Sequence, residues 1–482
     1  MASFYTETVP SRSALLIPKV KNMALHSMYS PQREAESFAA NYGESLLFFI
    51  AGGLAGGYHI QALLNKNPER KIIVVENSEE DFEYLIQHIE QCRKLSKNPN
   101  VIFCTIENLF ETIINNFIAP VYSTINLAFL RSWQNIFPQS ASVIEAIVKK
   151  AVQTVMADYS VQRAFGKIWQ KNIIKNLDAS RNLKSFCLND FADTSRKCAI
   201  IAAGPTLDKA VKELKSEKYF IIATDTTYPV LLQNSVQPHI VVSLDGQAIS
   251  RNHFLNNLTP DKKTIFAFDL CCEHSCVKKV IETGNRFFFF TGNHPLGQLA
   301  NLFQKTFINL QSGTGTVTIA ACDLAYKLGF IDIKFFGADF SYLDGKPYAR
   351  GTYLDKLYSI NETKLQNKES SYCRLMYRTP LVELKKGQFT NEILDSYKKS
   401  LEIYLENPSS KETIKIQSFE YEGFIKHLNQ VLNSLDKDLF KAIKNPASYI
   451  LLPLMAWYQK NASVTQSYEL ALIKTLGYTK IS

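Results

Sequence analysis

Residues 198–214 read CAIIAAGPTLDKAVKEL. Cys198 to Ala203 is an unbroken apolar run; Gly204-Pro205-Thr206 stops it, and an amphipathic run follows at once. That succession is the pattern of a buried strand, a tight turn and a helix. Gly204 admits close approach of backbone or ligand, Pro205 keeps Gly204 out of the α region, and Thr206 is a good N-cap. A helix starting just beyond a strand presents free N–H groups and a partial positive charge, a setting suited to phosphate. The same turn also occurs in α/β folds where it binds nothing, so the surrounding sequence has to decide.

Downstream, further strands are expected at Tyr219–Thr224, Ile240–Leu244, Thr264–Phe268, Arg286–Thr291, Ile308–Gln311 and Ile333–Gly337. In open parallel sheets, ligands bind beyond the carboxyl ends of the strands. Six polar clusters stand at such ends: Gly204-Pro205-Thr206, Thr224-Asp225-Thr226, Ser243 to Gly246 with Asp245, Thr291 to His294, Gln311 to Thr316 with Ser312, Gly313 and Thr314, and Gly337-Ala338-Asp339. If these strands share a sheet, all six meet on one edge and form a nucleotide-type pocket. After Gly315, the residues Val317, Ala320, Ala321, Leu324, Ala325 and Leu328 fall on one helical face.

Upstream, SLLFFIAGGLAGGYHIQALLNK, Ser45 to Lys66, repeats the strand–turn–helix pattern, and further strands are expected at Lys71–Glu76, Asn100–Ile106 and Ile125–Ser132. The turn Gly52-Gly53-Leu54-Ala55-Gly56-Gly57, with Glu76 ending the next strand, is similar to a dinucleotide or S-adenosylmethionine fingerprint. A purely structural glycine turn is the alternative. Residues 1–40 read as polar and irregular, 140–182 as helical, and 361–374 as a polar, mobile loop or lid. Beyond Thr390 the pattern is mostly helical, with a possible short strand at Thr413–Gln417. The fold class is therefore α/β, two Rossmann-like parallel-sheet units followed by a helical C-terminal region. The expected divisions are 1–135, a helical connector 136–195, a catalytic domain 196–420 with a lid at about 340–385, and 421–482.

At 482 residues, 46% hydrophobic and 12% aromatic, the chain suits several globular domains. No apolar run approaches the ~20 residues of a membrane span. The N-terminus makes a poor signal peptide, and nine irregularly spaced cysteines suit reduced thiols, so the expected location is cytoplasmic. The net charge of +9 is spread through the chain without a basic block, which argues against a nucleic-acid partner.

Asp225, Asp245 and Asp339 read as sugar- or base-binding carboxylates, a general base or metal ligands, or as turn caps. Of these Asp339 is favoured, since it precedes SYLDGKPYARGTY. His294, in a turn after a strand, is the better general-base candidate among the histidines. Cys272-Glu273-His274-Ser275-Cys276 lacks structural-zinc spacing, and Asp436-Lys437-Asp438 reads as a solvated helix face.

The segments AAGPTLD, TDTTYPVLLQNSVQPHIVVSLDGQ and SGTGTVTIAACDLAYKLGFIDIKFFGADFSYLDGKPYARGT, in this order, resemble the motility-associated factor (Maf) glycosyltransferases. Their central domain is similar to archaeal MptE-like pterin diphosphokinases and, in fold, to bacterial CMP-sialyltransferases. FFIAGGLAGGYH with IIVVE, and TNEILDSYKKSLEIYLEN, extend the resemblance from residue 45 to about 420. It implies a transferase moving a nonulosonic acid, pseudaminic or legionaminic in type, from a CMP-sugar to Ser or Thr of flagellin, without a required metal or other cofactor. It places Gly204, Pro205 and Thr206 in the nucleotide loop, Thr224, Asp225 and Asp245 around the pocket, Ser312, Gly313 and Thr314 near the phosphate or cytidine, and Asp339 before the lid. Relatives commonly carry a histidine shortly after the D-G-K turn, where this chain has Tyr348. Asp339, His294 or Tyr348 is then left to serve as base. The alternatives are an ATP- and Mg²⁺-dependent pterin diphosphokinase, a non-catalytic flagellin-binding assembly factor and, least favoured, a methyltransferase.

Overall fold

The computed structural model describes residues 3–255, 262–312, 316–363 and 365–480. The chain divides into two compact units, one of residues 1–164, 438–444 and 452–469, the other of residues 165–437, 445–451 and 470–482. A single helix, Pro138–Ser180, supplies residues to both.

In the first unit, residues expected to be irregular form an antiparallel sheet, β1 (Tyr5–Pro10), β2 (Leu16–Val20) and β3 (Met23–Ala24), followed by the Pro31–Ala40 helix. Pro10 at the end of the edge strand β1, Pro18 within the central β2 and a mostly polar β1 hide these strands from periodicity. The main sheet contains β4 (Phe48–Gly52), β5 (Lys71–Glu76), β6 (Val101–Thr105) and β7 (Asn126–Phe129), all parallel, in the order β6-β5-β4-β7. Phe48 to Ala51 and Ile72 to Val75 are fully buried, which is why these strands read as continuous apolar runs.

In the second unit, β8 (Phe186–Cys187) precedes the central strands β9 (Cys198–Ile201), β10 (Phe220–Thr224), β11 (Ile240–Ser243), β12 (Ile265–Asp269), β13 (Phe287–Thr291), β14 (Ile308–Asn309) and β15 (Ile333–Phe336). All seven central strands are parallel, in the order β14-β13-β12-β11-β10-β9-β15. β9 to β14 therefore march outward in sequence, and β15 returns to the opposite side of β9. The return is made by the Val317–Leu328 helix, buried along nearly its whole length against β9, β10 and β11. The sheet consequently has its topological switch point between β9 and β15.

After β15 come β16 (Tyr342–Leu343), β17 (Val382–Lys385), β18 (Gln388–Thr390) and β19 (Lys415–Ile416). β16, β18 and β17 form a small antiparallel sheet, and β19 pairs with β8. The polar loop expected over 361–374 is a helix from Lys368, Lys368–Met376, whose N-cap Asn367 accepts the Ser370 N–H at 2.8 Å. Its composition is polar because only Tyr372 and Met376 are buried, and Asp355 holds it through Tyr372 and Lys368.

Candidate functional site

The switch point brings two of the predicted strand ends together. The Gly204 N–H donates to the Gly337 carbonyl at 2.7 Å, and the Ala202 N–H to that of Phe336 at 2.8 Å. Asp339 lies across the first turn of the Leu207–Ser216 helix, where its Oδ2 accepts the Thr206 N–H at 2.8 Å and its Oδ1 accepts the Thr206 hydroxyl. Small residues are required for this approach. A Cβ on Gly204 would lie 2.4 Å from Asp339 Oδ2, and one on Gly337, at φ +65, only 2.1 Å from the Ala202 carbonyl oxygen. Asp339 therefore stabilises the start of that helix as an external cap, supplying the negative charge that the helix dipole favours. The turn expected to cradle a phosphate already holds a carboxylate, and Asp339, expected as the base, has both oxygens engaged by Thr206.

A second cluster spans β10 to β12. Asp225 is buried; its Oδ1 accepts the Thr226 N–H at 2.6 Å and its Oδ2 the Ser243 hydroxyl at 2.7 Å, while burial raises its pKa. The Thr224 carbonyl accepts from Thr227 Oγ1 at 2.7 Å, and Asp245 Oδ1 accepts from the Gln247 N–H at 2.9 Å. The capping role is thus realised by these residues. Asp269 closes β12 and was missed, because an Asp ending the run TIFAFD gives no motif. Burial pushes it up to about 6, and its Oδ1 accepts the Cys271 N–H at 2.6 Å. The Pro138–Ser180 helix walls this edge: Asn172 donates to the Gly246 and Cys271 carbonyls at 3.0 and 3.1 Å, and Asn176 to those of Leu270 and Cys272 at 3.0 and 2.8 Å. A pair of asparagines at i and i+4 inside a long helix was the available signal.

Two base candidates are corrected. His294 is the N-cap of the Pro295–Phe303 helix, its Nδ1 accepting the Leu296 N–H at 3.2 Å and its Nε2 sealed from solvent. Burial holds its pKa at about 3, so the ring is neutral and a weak base. Its pattern, a polar residue before Pro295, is that of a helix start. The Tyr348 phenol is raised above its usual value, first by burial and then by Tyr342, Tyr358 and Tyr397, and stays protonated. Ser312 accepts from the Thr316 N–H through its carbonyl at 2.9 Å, and Thr316 caps the following helix; Gly313 and Thr314 lie outside the described residues.

The low histidine pKa has a measurable consequence. An unfolded chain takes a proton on His294 near pH 6.5 that the folded one refuses until about pH 3, so the stability it contributes is lost as pH falls through that window. His294→Asn keeps a cap acceptor and removes the titration. Its stability relative to wild type is expected to improve by about 1.4 kcal/mol per pH unit between pH 6 and 4, read by urea denaturation. A pH-independent difference would contradict the buried neutral ring.

In the first unit, the glycine turn packs against protein. A Cβ on Gly52 would lie 2.3 Å from the Phe129 ring, and one on Gly53 2.4 Å from Trp133. Glu76, expected to meet ribose hydroxyls, is fully buried: Oε1 accepts the Leu54 N–H at 2.6 Å and the Tyr5 hydroxyl at 2.7 Å, and Oε2 the Trp133 Nε1–H at 3.0 Å. Gly57 sits at φ +73 as the N-cap of the Tyr58–Lys66 helix; Gly56 faces Tyr58 and His26. The fingerprint spacing here serves aromatic packing, because Trp133 and Phe129 approach where a dinucleotide would. Asp436-Lys437-Asp438 is also reassigned: it is a helix start, with Asp438 accepting the Phe440 N–H at 2.8 Å.

Among the described residues, no group of three or more His, Cys, Asp or Glu is arranged to hold a metal ion, and no helix is long and apolar enough to cross a membrane. Beside the Leu207–Ser216 helix lies a cleft of about 400 Å³ bordered by Thr206, Lys209, Leu343, Lys346 and Arg350.

Residues 171–345 match the family model described as 6-hydroxymethylpterin diphosphokinase MptE-like. An uncharacterized protein of Treponema pallidum (strain Nichols) is 30% identical over 282 residues, covering 56% of this chain and 96% of that protein. A second uncharacterized protein of the same organism is 31% identical over 132 residues, 27% of this chain and 62% of that one. A solved structure of a Maf glycosyltransferase from Magnetospirillum magneticum AMB-1 is 12% identical, with a TM-score of 0.49 over 98% of this chain and 86% of that one.

Proposed function

The chain belongs to the family of the first of these Treponema pallidum proteins, and from the resemblance of its sequence motifs we propose that it is a Maf-type glycosyltransferase. In this reading it moves a nonulosonic acid from a CMP-sugar to Ser or Thr of flagellin in the cytoplasm. The observation that carries it is the switch point, where the Gly204-Pro205-Thr206 and Gly337-Ala338-Asp339 turns interlock through Thr206 and Asp339. That crevice is where open parallel sheets bind their ligands. Departure of CMP asks for preorganised donors around a growing negative charge and for a group to take the acceptor proton. Asp269, raised by burial to about 6 and bonded through Oδ1 to the Cys271 N–H, is the candidate for that proton in place of His294 and Tyr348. Asp339 is a positioning residue that holds the Thr206 turn in shape.

The MptE-like match favours a second reading, an ATP-dependent diphosphokinase with Asp225, Asp245 and Asp339 around Mg²⁺. Those three carboxylates are engaged by separate turns, Asp225 by Thr226 and Ser243, Asp245 by Gln247 and Asp339 by Thr206. The transferase is therefore preferred.

Intact mass of flagellin co-expressed with this protein and a nonulosonate supply tests it. The expected result is a mass increase of one or more sugar residues; unchanged flagellin overturns the reading. Asp339→Ala is expected to slow transfer by roughly 10²-fold, and Asp339→Asn, which retains an acceptor for the Thr206 N–H, to recover most of it. An Asn variant as slow as Ala while folded identifies Asp339 as a proton carrier instead.

A further inference from the structure

The carboxylate on Thr206 raises the question of where a ligand phosphate goes. A phosphate seated at the start of the Leu207–Ser216 helix would meet Asp339 at hydrogen-bond range, two anions competing for one N–H. The adjoining cleft offers the opposite charge. Lys209 comes from the helix, Lys346 and Arg350 from the turn after β16, and all three border the same space of about 400 Å³. We propose that this cleft is a phosphate subsite in which Lys209, Lys346 and Arg350 receive the anionic group of a nucleotide. The inference rests on the transferase reading for the identity of the nucleotide, and not for the site itself.

The turn that carries two of the cations is held in place by the fold. The Ala349 N–H donates to the Ala203 carbonyl at 2.9 Å, which fastens the turn carrying Lys346 and Arg350 to the end of β9. Leu343 and Lys346 bridge across the turn, and the Asp344 N–H donates to the Gly387 carbonyl at 2.8 Å. Asp208 stands behind both bases. Its Oδ1 accepts the Arg350 backbone N–H at 2.8 Å, and its Oδ2 lies 3.8 Å from Lys346 Nζ and from Arg350 Nε. At that separation the contact is a loose ion pair, so each cation keeps donors for a second anion. Lys209 has no ion pair among the described residues. Three cations face two carboxylates, Asp208 and Asp344, and the balance attracts a phosphate. Pro205, Val211, Val230 and Leu343 supply apolar surface beside the charges, against which a nucleoside rests.

The test is calorimetry on the full chain at low salt, with CMP, inorganic pyrophosphate and uncharged cytidine as probes. CMP and pyrophosphate are expected to bind and cytidine to bind far more weakly. Lys209→Glu with Lys346→Glu is expected to cut CMP affinity by about tenfold or more, and added salt to weaken wild-type binding. Both lysines are surface groups, and an unchanged melting temperature checks folding. CMP affinity equal to wild type in the folded double variant overturns the subsite while leaving the transferase reading standing. So does cytidine binding as tightly as CMP, and wild-type protein that binds neither CMP nor pyrophosphate also overturns it. Charge-sensitive CMP binding beside flagellin of unchanged mass removes the transferase reading and keeps the subsite.

Discussion

Alanine at Gly337 is expected to cost the second unit about 4 kcal/mol or more, enough to exhaust much of a domain's stability. Two penalties combine there. Gly337 has φ +65, a conformation that a side chain adopts at a cost of roughly 1–2 kcal/mol. Its added Cβ would also stand 2.1 Å from the Ala202 carbonyl oxygen and 3.0 Å from the Ala202 carbonyl carbon, so relief requires β15 and β9 to separate at their ends. That separation breaks the bonds from Ala202 to Phe336 and from Gly204 to Gly337, and it withdraws Asp339 from Thr206. Gly345 separates the two terms: its φ is +73, but a Cβ there meets nothing within 4 Å. Gly345→Ala is expected to pay the conformational penalty alone. Hydrogen exchange of the β9 amides reads the second unit by itself, which a whole-chain melt of a two-unit protein does not. Equal protection in the two variants would show that β15 yields without cost, and the close approach would lose its importance.

Glu76→Ala is expected to destabilise the first unit by about 4 kcal/mol at pH 5.5, through a cavity and three abandoned buried donors. Those donors are the Leu54 N–H, the Tyr5 hydroxyl and the Trp133 indole, from three separate segments that this carboxyl group ties together. The effect has a definite pH dependence. Burial raises Glu76 to about 7 from an ordinary value of 4.5, with Asp81 adding to the shift and the three hydrogen bonds opposing it. A group raised on folding stabilises the fold below its unfolded pKa and loses that contribution as pH climbs through the folded one. Wild type is thus expected to give up about 3 kcal/mol between pH 4.5 and 7.5 that the alanine variant does not. The gap between them narrows as pH rises, measured by exchange at the β4 amides. A gap that widens with pH would mean that the folded state favours the ionised carboxylate and lowers its pKa instead.

Much of this architecture was legible because it is written in contiguous residues. CAIIAA, KIIVVE and FFFFT are buried on both faces, and parallel sheets make such strands into unbroken apolar runs. Gly204-Pro205-Thr206 marks a turn for the same local reasons in any context. The strands of the first 24 residues were missed because proline and polar side chains interrupt their alternation. Site chemistry was less legible. Asp339 and Thr206 are 133 residues apart, and nothing near either one says that the carboxylate occupies the helix start. His294 looked like a base because it follows a strand, yet the proline after it makes it a cap. Gly52 and Gly53 carry a dinucleotide spacing whose space is filled by Phe129 and Trp133, residues from a later strand and helix.

The apolar runs, the glycine and proline breaks and the helical spacing after residue 206 were sufficient to establish two parallel α/β sheets, since each depends on neighbours within a turn or two. They were also sufficient to place polar residues at the carboxyl ends of the strands. Which of those ends meet was decided only when β15 returned to the far side of β9, a choice set by the burial of the Val317–Leu328 helix across the sheet. That closure put Asp339 on Thr206 and left Lys209, Lys346 and Arg350 around the neighbouring cleft. Charge compensation acts through space, and so the turn that announced the fold proved to be capped by the chain's own carboxylate.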